Sequence, residues 1–410
     1  MKQSPVVIIG ASLGGLRTAE ALRKSGYTGP IEVIGEEPHL PYNRPPLSKE
    51  ALATEIDAST LAFAQREATA DVVWRLGRRA VAVDVASKLV VDDTGDSHHY
   101  SALVVATGLR PRPLDFTAGT SGVHVLRTLD DALALRADLV AGAKVVILGS
   151  GFIGCEVAAT ANKLGCDVTV VSSSRLPLER VLGADFAREI QRRHETHGVK
   201  FIFNTDVAEV VTVAAGAGSR ASSLTLRGGE KLACDVLVVA IGSIANTEFL
   251  QNTPIDISDG VFTNSAMQAL DARGHVVPGV YAVGDVARFA NPLFDDVARR
   301  VEHWNIPSET ARRAAKVIAA GFAEGATSSQ ADVVAETFAP LPSFWSDQFD
   351  MNILGFGSPA LADEIKLLEG ELGGDFIFGY YKENRLVGVA GIGMKARIQS
   401  YRGQVATPQV

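Results

Sequence analysis

Two short glycine arrays carry the most specific chemistry in this chain. Gly149-Ser150-Gly151-Phe152-Ile153-Gly154 is an intact G-x-G-x-x-G, and Gly10-Ala11-Ser12-Leu13-Gly14-Gly15 is the same array with Ser12 at the middle position. A pyrophosphate needs backbone that can approach it without a Cβ in the way, and a helix N-terminus whose free N–H groups and dipole favour its charge. The first glycine of each array lets the chain turn tightly, and the last lets a helix lie close to a sheet. Ser12 still allows that approach and can itself donate to a phosphate. One array alone is weak evidence, since a glycine turn can be purely structural, so the flanking elements decide.

Both arrays sit where a strand becomes a helix. Val6-Val7-Ile8-Ile9 reads as a strand buried on both faces. Leu16, Ala19 and Leu22 then form a helical stripe that Gly26 ends. Ile31–Gly35 is the next strand, with Glu36 at its carboxyl end placed to take the ribose hydroxyls of an adenosine. The pattern repeats with Lys144–Leu148, a stripe of Ile153, Val157, Ala161 and Leu164, the stop at Gly165, and Val168–Val171. Two such units about 140 residues apart imply two dinucleotides. Leu103–Val105 followed by Ala106-Thr107-Gly108 closes the first unit, with a sharp turn expected at Arg110-Pro111-Arg112. Val236–Ile241 with Gly242 repeats that pattern, and Val280–Val283 delivers Gly284-Asp285 to a strand end, where ligands of open α/β sheets bind. The fold class expected is α/β.

Composition narrows the function. The chain has 410 residues with 39 Lys+Arg against 47 Asp+Glu, a net charge of −8 that disfavours a general polyanion binder. Apolar runs such as Val236–Ile241 fall far short of the ~20 residues of a membrane helix. Met1–Pro5 runs straight into the first strand without a leader pattern, so a cytoplasmic protein is expected. Cys155, Cys166 and Cys234 form neither a C-x-x-C pair nor a metal-ligand spacing and read as small buried residues, so no metal is expected. Many of the 39 glycines fall at the turns above.

Pro41-Tyr42-Asn43-Arg44-Pro45-Pro46-Leu47-Ser48-Lys49, Glu302-His303-Trp304 and Phe344-Trp345-Ser346-Asp347-Gln348 follow in order. With the two arrays, they make the chain resemble the oxygenase-coupled, FAD-dependent NAD(P)H ferredoxin reductases, a group of the two-dinucleotide-binding flavoproteins. The likeness extends to about residue 380. It implies two Rossmann-like domains arranged as in glutathione reductase, plus a small C-terminal α/β domain. Residues 1–112 and 241–325 would bind FAD, 113–240 would bind NAD(P)H, and 326–410 would form the third domain. In composition, Gly321–Ala331 reads as a joint, while Val213–Ser223 reads as a hairpin within the second domain.

The resemblance also implies site residues. FAD would meet Gly10, Ser12, Leu13, Gly14, Gly15, Glu36, Arg44, Lys49, Ala106, Thr107, Gly108, Arg112, Gly284, Asp285, Trp304 and Trp345. NADH or NADPH would meet Gly149, Gly151, Phe152, Ile153, Gly154, Glu156, Ser172, Arg175, Arg180, Ile241 and Gly242. Lys49 would place a cation near flavin N5 and pair with Glu156, which would contact the nicotinamide amide; a solvated lysine and a dipole-favoured glutamate are the plainer readings. Trp345 stands equally as a flavin neighbour or a core residue, and His303 as a wall residue. The partner implied is an acidic [2Fe–2S] ferredoxin. Arg299, Arg300, Arg312, Arg313 and Lys316 are either its docking face or merely a solvated face.

Nucleotide preference stays open. Taking Ser172 as the counterpart of Glu36, three hydroxyls and Arg175 suit a 2′-phosphate, whereas the family leans to NADH. The rival functions are an NAD(P)H oxidase or quinone reductase, and a redox-sensing flavoprotein like apoptosis-inducing factor.

Overall fold

Val6–Ile9 and Ala102–Val105 are wholly apolar and Ile31–Gly35 nearly so, and all three are buried strands of one sheet. Parallel pairing with cover on both faces explains why they carry so few polar residues. The six strands lie in the order Gln268–Leu270, Val276–Ala282, Ala102–Val105, Val6–Ile9, Ile31–Gly35, Val73–Leu76, and only the first runs antiparallel to its neighbour. Val276–Ala282 pairs with Ala102–Val105, so two distant stretches of chain complete one sheet. The computed structural model describes residues 4–114, 117, 119–216, 218–323 and 329–407.

A second sheet is built by the sequence between those stretches. Its order is Val123–His124, Val236–Val239, Lys144–Leu148, Asp167–Val171, Lys200–Ile202, all parallel. Val145, Ile147, Val168 and Val170 face one apolar cluster, and Val146, Leu148 and Val171 face another. The hairpin expected around Val213–Ser223 is present as antiparallel strands Val207–Ala215 and Gly218–Leu226.

Arg110-Pro111-Arg112 is extended rather than a sharp turn. Leu109–Pro111 pairs antiparallel with Ser243–Ala245, and the Arg112 N–H donates to the Gly242 carbonyl at 2.9 Å. This ribbon is where the chain leaves the first sheet for the second and returns. Thr107 Oγ1 donates to the Asn246 carbonyl at 2.7 Å and Asn246 Nδ2 to the Thr107 carbonyl at 3.0 Å, which locks the crossing.

The C-terminal part, expected as α/β, is built on a five-stranded antiparallel sheet. Its order is Ser343–Gln348, Met351–Gly357, Arg385–Ile392, Phe376–Lys382, Glu364–Gly370, with short helices Lys395–Ser400 and Arg402–Val405 after it. Its aromatic face, with Phe344, Phe376, Phe378 and Tyr380, packs on Leu182, Phe186 and Ile190 from the second unit. The joint expected at Gly321–Ala331 is flanked by helix Ile306–Phe322 and by helix Gln330–Ala335. The 325/326 boundary falls outside the described residues.

The glycines of the second array have separate tasks. A Cβ on Gly154 would overlap the carbonyl oxygen of Gly149, whereas a Cβ on Gly151 would meet nothing within 4 Å. Gly151 also has an ordinary φ of −79°. Gly154→Ala is therefore expected to cost about 1–3 kcal/mol of stability in denaturant melts. Gly151→Ala should stay within about 0.5 kcal/mol of the parent.

Candidate active site

Both glycine arrays open onto one cleft of about 2210 Å³. Around it lie Glu36, Arg44, Lys49, Ala106–Gly108, Phe152, Ile153, Glu156, Ser172, Arg180, Ile241, Gly242, Gly284, Asp285, Trp304 and Trp345. Gly15 and Gly154 lie beneath it, each holding its helix against the preceding loop. Arg112 and Arg175 do not line the cleft. The Arg112 backbone joins the crossing ribbon and its side chain is exposed, while the Arg175 guanidinium turns outward to pair with Glu179.

The helix ends fit a pyrophosphate. Ser12 precedes helix Leu13–Lys24, but its hydroxyl makes no cap and instead accepts from Arg44 Nε at 3.2 Å. Gly151 has no side chain with which to cap helix Phe152–Lys163. First-turn N–H groups of both helices thus lack a side-chain acceptor and point to the same cleft.

Arg44 is held by several acceptors at once. It donates to the Glu37 carboxylate, to Tyr42 Oη at 3.1 Å and to the Arg127 carbonyl at 2.6 Å. Tyr42 Oη donates to Glu37 Oε2 at 2.5 Å and accepts from the Leu129 N–H at 2.9 Å. Burial, set against the nearby Arg44 charge, raises the Tyr42 phenol well above its ordinary range. Glu36 keeps a free carboxylate, 73% exposed, with Arg79 Nε only at 4.0 Å.

Asp285 faces Arg127, whose Nη2 lies 3.6 Å from Oδ2. Burial raises the Asp285 carboxyl and lowers the Arg127 guanidinium. Sequence reasoning missed Glu37 and Arg127. For Arg127 a signal was present: Thr128 and Asp131 form a capping box on helix Leu129–Asp138, and the Arg127 N–H donates to Asp131 Oδ2 at 2.9 Å. That box fixes the arginine at a helix start beside the cleft.

The pair expected from the resemblance is formed. Lys49 Nζ lies 2.7 Å from Glu156 Oε2. Ser48 Oγ donates to the same oxygen at 2.5 Å, and Ser346 Oγ, from the C-terminal sheet, donates to Oε1 at 2.6 Å. Gln348 Nε2 donates to Ser346 Oγ at 3.0 Å, and Gln348 Oε1 lies 2.9 Å from His194 Nε2, which makes that nitrogen the protonated one. Ser346, Gln348 and His194 are fully buried, so this is a dry chain of hydrogen bonds ending on one carboxylate.

Strand Ser343–Gln348 alternates faces, so Phe344, Ser346 and Gln348 turn inward while Trp345 turns out. Trp345 is therefore not a core residue; it meets Trp304 edge to face at 5.6 Å beside the cleft. His303 is half-buried, desolvation pushes its pKa down to about 4, and its ring lies edge-on to Phe344 at 5.2 Å. All three cysteines are buried free thiols, and burial raises the pKa of each.

The basic cluster is largely spent within the fold. Arg313 is buried and donates to the carbonyls of Ser265, Val333, Val334 and Glu336, so it cannot meet a partner. Arg299 pairs with Asp295, Arg300 with Asp259 and Glu302, Arg312 with Glu309, and Lys316 with Glu336.

The strand register moves one expected equivalence. Ile9 pairs with Ile34 and Leu148 with Val171, so Gly35 corresponds to Ser172 and Glu36 to Ser173. Sequence spacing alone matches Glu36 with Ser172, because each directly follows its expected strand, Ile31–Gly35 and Val168–Val171.

His194 has its pKa pushed from 6.5 down to about 4, mainly by burial. Between those values the unfolded chain binds a proton that the folded chain does not, so stability is complete above pH 6.5 and declines as pH falls towards 4. His194→Gln is expected to flatten that decline in denaturant melts taken across this window, with His303 supplying the residual slope.

Residues 4–311 match the pyridine nucleotide-disulphide oxidoreductase family, and residues 343–409 match the reductase C-terminal family. The chain is 35% identical to the ferredoxin–NAD(+) reductase component of the anthranilate 1,2-dioxygenase system of Burkholderia cepacia, across 99% of this chain and 95% of that protein. Putidaredoxin reductase of Pseudomonas putida is 31% identical, across 94% of this chain and 87% of its own. Among solved structures, the covalent putidaredoxin reductase–putidaredoxin complex is similar with a TM-score of 0.87 at 29% identity, covering 99% of this chain and 94% of that one. With most of its length matched, the chain belongs to the pyridine nucleotide-disulphide oxidoreductase family and carries in addition a reductase C-terminal domain.

Proposed function

We propose that the protein is an FAD-dependent NAD(P)H:ferredoxin oxidoreductase that passes electrons to a [2Fe–2S] ferredoxin serving a cytochrome P450 or Rieske oxygenase. The carrying observation is the Lys49–Glu156 pair in a cleft shared by both glycine arrays and lined by none of the three cysteines. Relatives named as ferredoxin reductases of dioxygenase and putidaredoxin systems support this acceptor. A cytoplasmic setting is part of the proposal, because the cysteines are free thiols, the state that reducing compartments maintain.

In this reading residues 1–112 and 241–325 hold FAD, with Gly10–Gly14, Arg44 and Glu36 on its adenosine diphosphate half and Gly284-Asp285 on its ribityl chain. Residues 113–240 hold the nicotinamide nucleotide on Gly149–Ile153. Residues 326–410 close the site through Trp345. The chemistry supplied by bound FAD is two-electron uptake from the reduced nicotinamide and one-electron release, which suits an iron–sulfur acceptor. The chain's own residues position and compensate. Lys49 brings a positive charge to the ring end of the cleft, and Glu156 balances it while Ser48 and Ser346 hold the carboxylate still. Neutral His303 and the Trp304–Trp345 pair wall that end.

Anaerobic addition of NADH or NADPH should bleach the flavin band rapidly, and a [2Fe–2S] ferredoxin added next should recover it faster than oxygen does. Slow bleaching, or recovery no faster than by oxygen or a quinone, would favour the oxidase, quinone-reductase or redox-sensing alternatives. A second expectation concerns Ser346. Losing a hydrogen bond to a charged group is worth about 1.5–3 kcal/mol, so Ser346→Ala should slow flavin reduction about tenfold or more in stopped flow, and Ser346→Thr should restore it.

A further inference from the structure

The two nucleotide units of this chain differ at one point that reads the ribose. In the first, the strand-end backbone at Gly35 packs against the Ala11 side chain, and Glu36 then presents a free carboxylate to the cleft. In the second, Ser150 and Ser172 occupy the positions of Ala11 and Gly35, and Ser173 occupies that of Glu36. Such a carboxylate accepts a hydrogen bond from the ribose 2′-hydroxyl and repels a 2′-phosphate. Here neither serine can provide that charge.

Ser172 carries the sharper argument. Its Oγ accepts from Ser150 Oγ at 2.9 Å and from the Ser174 N–H at 3.2 Å. A hydroxyl has two acceptor lone pairs and one proton, so only the O–H of Ser172 remains to be used. A donor suits a phosphate oxygen, which can only accept, and cannot itself take the proton of a 2′-hydroxyl as a carboxylate does.

Charge points the same way. The Ser172 carbonyl accepts from the Thr205 N–H at 3.2 Å, and the adjoining Asp206 carbonyl accepts from the Arg227 N–H at 2.9 Å, which ties Arg227 to this strand end. Arg227 and Arg180 both line the cleft and make no ion pair among the described residues. The acids nearby are Glu179, already neutralised by Arg175, and Asp206, whose Oδ1 accepts from the Val207 N–H at 2.8 Å. Among the described residues lining the cleft, Arg180 and Arg227 thus have no ion-pair partner, and Asp206 has none either.

We infer that the second unit selects the 2′-phosphorylated nucleotide, NADPH, with the phosphate received by the Ser172 hydroxyl, Ser173 and Arg227. This deepens the proposed function and rests on its assignment of residues 113–240 to the nicotinamide nucleotide. It runs against the relatives named as NAD(+) reductases.

The test is calorimetric titration of the FAD-loaded protein with 2′,5′-ADP and with 5′-ADP, which reports the subsite without turnover or ferredoxin. The parent should bind 2′,5′-ADP at least about tenfold more tightly, the contribution of one charge-assisted contact. Arg227→Ala should remove most of that preference with little change towards 5′-ADP. Ser173→Glu should reverse it and shift the NADH-to-NADPH ratio of kcat/KM upward. Equal or weaker binding of 2′,5′-ADP by the parent, or a preference unmoved by Arg227→Ala, would overturn the inference. Binding of 2′,5′-ADP with the stated preference but no electron transfer to a ferredoxin would leave it standing while the acceptor reading failed. Binding of neither nucleotide would overturn this inference together with the assignment of the second unit.

Discussion

One buried carboxylate constrains the whole arrangement. Glu156 is reached from Ser48, 108 residues earlier, and from Ser346, 190 residues later, while Lys49 supplies the opposite charge at 2.7 Å. An unmatched buried carboxylate is costly, so these donors must arrive together at that point. That requirement brings the first unit, the second unit and the C-terminal sheet to a single point. Because the contact from the last of these comes from an inward residue of strand Ser343–Gln348, the neighbouring outward residue Trp345 is delivered to the cleft by the same strand pleat. A hydrogen-bonding need and an aromatic wall are thus met by consecutive residues.

The domain crossing obeys a related economy of contact. Leu109–Pro111 and Ser243–Ala245 are the outgoing and returning legs of the inserted unit, and pairing them satisfies backbone groups that two separate linkers would leave to water. Thr107 and Asn246 then bond across the crossing at the carboxyl end of Ala102–Val105, beside the first glycine array. The second unit is consequently held at the edge of the first unit's ligand cleft, and a nucleotide bound on each array would extend into shared space.

Much of this was legible in the sequence, because parallel strands buried on both faces appear as uninterrupted apolar runs and glycine arrays mark the turns between them. Val6–Ile9 and Val236–Val239 are such strands, and Lys144–Leu148 is one after its exposed first residue. What could not be read depended on register or on side chains meeting from distant positions. Glu36 and Ser172 look equivalent by spacing, and only strand pairing shows that Ser173 is the counterpart. Arg175 looked available for a phosphate, yet Glu179 lies four residues on along the chain and takes it. Arg313 sits in a charged run by sequence, but its side chain is buried and ties helix Ile306–Phe322 to the carbonyls after Gln330. The hydrogen-bond chain from His194 through Gln348 to Glu156 links residues 154 apart at one step, beyond the reach of any local pattern.

The titratable groups of the cleft argue for a site that positions reagents and leaves bond chemistry to what it binds. His303 is held neutral with its pKa near 4, so it is a poor proton donor at neutral pH. The cysteines have raised pKa values and lie outside the cleft, which removes the usual protein nucleophile of a disulfide exchange. Lys49 is compensated by Glu156, and Asp285 by Arg127. With no side chain among the described residues poised to attack or to shuttle a proton, rate in the proposed reading comes from the mutual placement of two cofactors, the effect that fixed walls supply. In the proposed reading the interior is committed to holding ring against ring, which leaves the acceptor to be chosen at the Trp304–Trp345 edge and the nucleotide by a few atoms at the far end of the cleft.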